Sequence, residues 1–470
     1  MMKAIFGKIF HNGGNFSRLL IDDDKIIALD NDRTAPDGAE ILDFGDKLIL
    51  PPLVDSHTHF FQTGLYLGAL DVSHISTKDG LLSFIRGSAL DNFRIGEVVW
   101  IFGFDPIDEM PNSAELESVA PNIPIFLRRV DGHSCSLSKS AQKMIPDDMR
   151  NQSGIYTGIM QEKVVDYFLR LVGKDELILA ANRVAESAVK VGAMRIHSLV
   201  PYVEWAEILM KIQKDLPIET EIFVESTDVE SVAELDLKQI GGCILLDGSF
   251  GSHTAAITEP YADAPNNSGI LYFTDEKLLS FFQSARDKNL AVAMHAIGDR
   301  AIEQYIRCAE KVADGEQLKR WRIEHAELIN RNQIERAQKL GLTLSVQPAF
   351  EKFWGGPDKM YAKRLGKRWM MTNHFRDEID AEILLLGGSD SYITPIDPVS
   401  GIFDAMNHPN KSQRLTQNEA ISLFTENPLK WRYNKSEIDI SEMYRVNGEL
   451  KFIVLDGDFK KSIPEILKVT

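Results

Sequence analysis

The 470-residue chain is long enough for up to about three ordinary domains. Its 52 Lys and Arg against 69 Asp and Glu leave a formal charge of −17, which excludes non-specific attraction to nucleic acid or an anionic membrane as its main task. Three cysteines, Cys135, Cys243 and Cys308, cannot build a disulfide scaffold, and an odd number leaves one without an internal partner.

The opening MMKAIFGKIF has a lysine among its apolar residues and no small-residue cleavage pattern after it. No later apolar run approaches the roughly 18–20 residues that span a bilayer. A cytoplasmic protein is expected. Residues 2–50 hold short β-type stretches, KAIFGKIF and KIIALD, separated by Asn, Asp and Gly turns. From there, nine runs read as strands: LILPPLVDSHTHF, PIFLRRVDG, AMRIHSLV, EIFVES, CILLDGS, LAVAMHAIGD, WRIEHAEL, LTLSVQP and EILLLGGSD. Most are apolar throughout instead of alternating, as in a parallel sheet buried on both faces.

Helical patterns lie between them. Asp175–Val191 places Leu177, Ala180, Ala181, Val184, Ala185 and Ala188 on one face. Thr274, followed by Asp275 and Glu276, opens a second helix, and Thr416 with Glu419 has capping-box spacing. This alternation predicts βα units and an α/β fold. A (β/α)8 barrel needs one strand fewer than the nine runs, so PIFLRRVDG or EIFVES is surplus or lies in an insertion. An open doubly wound sheet is the alternative. Near the end LKFIVLDGD returns to strand character, so residues 1–50 and 431–470 are expected to form one small β domain around an αβ domain of residues 51–430.

Ligand-type side chains fall at the C-terminal ends of these runs. His57 and His59 close the first run two positions apart, and so share one side of a strand. His295 ends LAVAM, His325 ends WRIE, and Asp390 ends ILLLGGS. Barrel enzymes put their chemistry at this end. Four histidines and a carboxylate suit Zn²⁺ or a similar ion better than Ca²⁺ or Mg²⁺. His133 and His197 also sit near strand ends and could line the pocket. His11, His74, His374 and His408 read as solvated, and His253 as either solvated or pocket-lining. Arg322 is a candidate to orient substrate or to form a salt bridge, and Glu324 faces away from the His325 side.

The segments PPLVDSHTHF, PIFLRRVDGHS, GIYTGIMQE, LLDGSFGSHTAAITEPY, MHAIGDRAI, RIEHAEL, LSVQPAF and GGSD run in the order found in the amidohydrolase superfamily. The sequence resembles the YtcJ-type branch of that superfamily, which includes N-substituted formamide deformylases. The resemblance implies a (β/α)8 barrel with a β-sandwich domain from both termini. It makes His57, His59, His295 and His325 metal ligands, and Asp390 a ligand that also moves protons. The implied cofactor is one or two Zn²⁺ ions, or another divalent transition metal. The implied reaction is hydrolysis of a non-peptide C–N bond, amide or N-acyl, in a small molecule by metal-activated water, with His133 and Arg322 orienting it. A homodimer is the default for such an enzyme.

Two positions depart from the branch. The lysine common four positions before the Asp of DGS is here Cys243, which cannot be carbamylated. Its thiolate ligates or bridges metal, or Cys243 is apolar filler, or Glu162 supplies a bridging carboxylate instead. His253 stands where relatives usually carry Arg. A deaminase, a cyclic-amide hydrolase, and a non-catalytic metal-binding protein on the same scaffold are the alternatives.

Overall fold

The computed structural model describes residues 2–106, 109–130, 132, 134–456, 459 and 464–468. The chain divides into two compact units, one of Met1–His59 with Ala185–Thr470 and the other of Phe60–Val184. This differs from the expected boundaries at 50 and 430. The terminal strands group with the parallel ones, and a second unit is inserted in the chain directly after the first parallel strand.

In the first unit, eight strands carry the αβ pattern. They are β1 (Leu53–His59), β2 (Ala193–Val200), β3 (Glu219–Val224), β4 (Gln239–Leu245), β5 (Ala291–Ala296), β6 (Arg322–His325), β7 (Thr343–Val346) and β8 (Leu384–Gly387). They form two parallel sheets, β3-β2-β1 and β4-β5-β6-β7-β8. Every residue of β2, β5, β6 and β7 is buried, which is why these runs do not alternate. A bridge between Thr58 and Ser391 and a hydrogen bond from Asp390 N to His57 O (2.8 Å) join β1 to the segment after β8. Gln239 Nε2 donates to Ile222 O (2.7 Å), joining β4 to β3. Gly388 permits the first approach, because a Cβ there would lie 2.7 Å from the backbone N of His57.

Helices between the strands follow the sequence signals. The first spans Lys174–Lys190. Asp275–Asp287 is capped by Thr274, whose hydroxyl accepts from Lys277 N, and Gln417–Leu423 carries the Thr416–Glu419 capping box. Among the described residues, no helix is long and apolar enough to cross a membrane.

Both chain ends build one further sheet of this unit. Its strands run in the order 445–446, 449–455, 40–50, 2–11, 14–22 and 25–30, with 465–468 paired to 449–455. Among the described residues, pairing links these seven strands in one sheet. The reason is the length of Glu40–Leu50, which pairs with Met2–His11 from Glu40 to Ile49 and with 449–455 at Leu48–Leu50.

The second unit centres on another sheet, ordered 155–157, 134–137, 125–129, 98–104 and 70–71, with 94–95 also on 98–104. The run PIFLRRVDG is the strand Ile125–Arg129 in this sheet, so it is the surplus strand, and EIFVES is β3. Val99, Ile101, Ile125 and Leu127 pack its core with helix residues Leu81, Ile85 and Leu116.

Candidate metal centre

The ends of β1, β4, β5 and β6 and the turn after β8 bring the expected ligands together. His57 is fully buried, and its Nδ1 lies 2.6 Å from Glu324 Oε2. In the neutral ring that contact places the proton on Nδ1 and leaves Nε2 with a free lone pair. Burial, which lowers the pKa of His57, is outweighed by the nearby Glu324 and Asp390 carboxylates, which raise it well above the usual value. His57 Nε2 is 3.3 Å from Asp390 Oδ1, and His59 Nε2 is 3.2 Å from the same oxygen. Glu225 Oε1 stands 3.5 Å behind His59 Nδ1.

On the other side, His325 Nδ1 meets Gln347 Oε1 at 2.8 Å. The Gln347 amide nitrogen donates to Ser345 O at 3.2 Å, so its oxygen must face the imidazole. His295 is oriented the opposite way. Its Nε2 donates to Gly248 O (3.2 Å), and its Nδ1 points at Cys243 Sγ, 3.6 Å away.

Cys243 reaches this position because Gly241 and Gly242 adopt φ of 98° and 106°, and the β4–β5 register shifts between Gly241 and Leu245. Left-handed φ of 70° at His325 and 57° at Asp390 likewise aim these two side chains.

Three sets of ligand atoms lie within 4.8 Å of one another: His57 with His59 and Cys243, Cys243 with His295 and His325, and His57 with His325 and Asp390. Cys243 belongs to the first two sets and so stands between the histidine pairs. His57 Nε2, His325 Nε2 and Asp390 Oδ1 are buried without a hydrogen-bond partner. Burial of such acceptors is costly unless something cationic satisfies them. Imidazole, thiolate and carboxylate donors fit a divalent transition ion.

Electrostatics agree with that fit. Burial alone would push the Cys243 thiol up, but the four surrounding imidazoles hold it well below the ordinary thiol range. Burial likewise opposes ionisation of Asp390, and contacts from His57 and His59 overcome it and keep the carboxyl far below its usual range. Both are therefore anionic.

Other sequence expectations divide. Arg322 is fully buried and bonded to Glu324, to His197 Nδ1 (2.8 Å) and to Ser56 O (3.0 Å). This corrects its substrate-orienting role to the salt-bridge one. Arg322 and Glu324 alternate with His325 along β6, so their side chains leave the strand on the opposite face. His197 is buried on β2, and burial with the neighbouring Arg322 cation keeps it neutral, its pKa well below the usual value. Glu162 lies exposed on the helix Gly158–Arg170 of the second unit and belongs to none of the ligand sets found among the described residues. His133 lies outside the described residues. His253 pairs with Asp263 (2.9 Å). His408, read as solvated, is fully buried, its Nδ1 accepting from Asn410 N at 3.0 Å, and His11 and His374 are half-buried.

Gln347, Glu225 and Asp247 support the site without having been singled out. Asp247 accepts from Ala256 N, Ile297 N and Gly298 N at 2.8, 3.0 and 2.8 Å, tying the β4 and β5 ends together. The available signal was position, since each directly follows one of the parallel strands or lies within two residues of its end.

Residues 40–435 match the sequence model of a family described as amidohydrolase. The putative amidohydrolase YtcJ of Bacillus subtilis (strain 168) is 29% identical over 465 residues, covering 89% of this chain and 86% of that protein. Protein LONG AFTER FAR-RED 3 of Arabidopsis thaliana is 28% identical over 415 residues, covering 79% and 70%. Among solved structures, an uncharacterized metal-dependent hydrolase from Pyrococcus horikoshii OT3 superposes with a TM-score of 0.79 at 24% identity, over 98% of both chains.

Proposed function

The chain belongs to the amidohydrolase family, in the branch of YtcJ, and we propose that it is a metal-dependent hydrolase cleaving a non-peptide C–N bond, amide or N-acyl, in a small molecule. In this reading the eight parallel strands are the staves of a (β/α)8 barrel, closed between β8 and β1 and between β3 and β4, with its ligands at the C-terminal end. The observation that carries it is the convergence of three buried, unpartnered acceptors, on His57, His325 and Asp390, within 4.8 Å of one another.

His57, His59, His295, His325, Asp390 and the Cys243 thiolate would hold the one or two ions. The mixed N and S donor set favours Zn²⁺, with other divalent transition ions next. Such an ion, when bound, supplies water acidified to a pKa of about 7 and positive charge for the carbonyl oxygen.

The chain's own residues do the rest. Glu324, Gln347 and the Gly248 carbonyl fix which nitrogen of His57, His325 and His295 faces the centre. Asp390, whose Oδ1 lies 3.3 Å from His57 Nε2 and 3.2 Å from His59 Nε2, would accept the proton of the attacking water and return it to the leaving nitrogen, which departs as a neutral amine. The water oxygen bonds to the acyl carbon as the C–N bond breaks.

The test is elemental analysis of protein purified without chelators, followed by assays on simple amides that separate acid plus amine from ammonia. One or two transition-metal equivalents with release of acid and amine are expected. Ammonia from an amidine carbon would make it a deaminase, and ring opening without a released amine a cyclic-amide hydrolase. Stoichiometric metal with no turnover on any of these would leave metal binding without catalysis.

A further inference from the structure

Arg322, the first residue of β6, is a cation with no exposed surface. Its Nε bonds to Glu324, and its two terminal nitrogens to His197 Nδ1 (2.8 Å) and Ser56 O (3.0 Å). Hydrogen bonds of a guanidinium run in its plane and leave its flat faces uncovered, and away from water those faces are stabilised by aromatic rings. Two rings supply this. Arg322 Cζ lies 4.2 Å from the Phe223 centroid and 5.2 Å from that of Trp431, and the two rings stack on each other at 5.6 Å and 26°. His197 joins them, 5.9 Å from Phe223 and 5.1 Å from Trp431.

Trp431 comes from outside the parallel strands, on the helix Glu426–Tyr433 that follows them. It is buried and shares a core cluster with Leu199 of β2, Phe223 of β3, Ala293 of β5 and Leu386 of β8. Its indole N–H donates to Arg320 O at 2.9 Å, which fixes the ring against the entry to β6, and Arg320 Cζ sits 4.6 Å over the same ring. A leucine would meet the packing alone. Carrying two guanidinium groups on one ring held by its own N–H is specific to the indole. From Arg322 the contacts run on through Glu324 to His57 Nδ1 (2.6 Å).

We infer that Trp431 is a positioning residue of the metal centre: by holding the Arg322 guanidinium against Phe223 it keeps Glu324 fixed on His57, and so tunes metal affinity from the opposite end of β6. The ion itself rests on the metal-dependent reading above, whereas the positioning rests on the aromatic contacts of Arg322.

The test is zinc affinity of the full chain, read by competition with a zinc chelator, so no substrate enters the measurement. Trp431→Leu should weaken zinc binding about tenfold, the lower end of what loss of a ligand's supporting partner costs. Trp431→Phe keeps a ring face for the cation and should stay within about threefold of the parent. In the background Arg322→Met with Glu324→Gln there is no cation left to hold, and Trp431→Leu should then change zinc affinity by less than about twofold. Phe223→Leu, which removes the nearer ring, serves as the second variant if Trp431→Leu does not fold, and the same pattern is expected of it. Unchanged zinc affinity in Trp431→Leu, or an equal loss in both backgrounds, would overturn the positioning role and leave the metal-dependent reading standing. A parent protein that takes up no zinc would overturn both.

Discussion

Glu324→Gln tests how the metal centre is built from below. Glu324 is fully buried and uses one oxygen on His57 Nδ1 (2.6 Å) and the other on Arg322, itself fully buried. Removing the carboxylate charge leaves the guanidinium with His197 and Ser56 O but no anion in contact, its planar group 4.2 Å over the Phe223 ring. An uncompensated buried charge of this kind costs about 3–5 kcal/mol. The neutral amide also supports the His57 ring less firmly, and loss of such a supporting carboxylate typically weakens metal affinity by about 10–100-fold. The double variant Glu324→Gln with Arg322→Met removes both charges, so most of the stability should return while the metal affinity stays low. Urea unfolding of the metal-free proteins reads the first quantity, and competition with a zinc chelator reads the second. A single variant within about 1 kcal/mol of the parent, with unchanged zinc affinity, would refute the reasoning that Arg322 and Glu324 act through His57.

Other perturbations have equally defined outcomes. Cys243→Ala should lose at least one transition-metal equivalent by elemental analysis, and full retention of metal and activity would make the thiol mere filler. Asp390→Asn should keep much of its metal while turnover falls by about a thousandfold, so near-parental activity would remove Asp390 from proton transfer. Gly388→Ala places a Cβ 2.6 Å from His57 Cβ and 2.7 Å from its backbone N, and should cost about 1–3 kcal/mol in urea unfolding together with reduced zinc affinity. Burial pushes the Glu351 carboxyl up to about 7, although Thr372 and Asn373 donate to it. Because that pKa is raised in the fold, its contribution is complete below about pH 4.5 and is lost as pH rises through about 7. Glu351→Gln should therefore gain on the parent by up to about 3 kcal/mol between pH 5 and pH 8, and parallel stability curves would contradict this.

Much of the centre was legible along the chain because burial and chemistry separate within each βα unit. A strand covered on both faces favours an unbroken apolar run, so the first polar residue at its end stands out, as His295 does after LAVAM. Helix capping is equally local, and the Thr274 and Thr416 caps appear where their side chains can reach a backbone N–H three residues on. PIFLRRVDG shows the limit. It has the composition of the parallel strands of the first unit, and its partners, Ser134–Leu137 antiparallel and Val98–Phe104 parallel, assign it to a different sheet.

What the sequence by itself offered is a set of candidate donors at strand ends, the alternation of strand and helix, and β character at both ends of the chain. Each follows from short-range constraints that a local run of residues satisfies alone. Tertiary structure decided the rest. The backward-facing Arg322, the orienting partners Glu324 and Gln347, the burial of His408, and the position of Cys243 between two histidine pairs all depend on residues distant in the chain. Which face a side chain leaves, and what it meets there, is set by strand register and by the bulge at Gly241 and Gly242, and those are properties of paired strands rather than of any one segment.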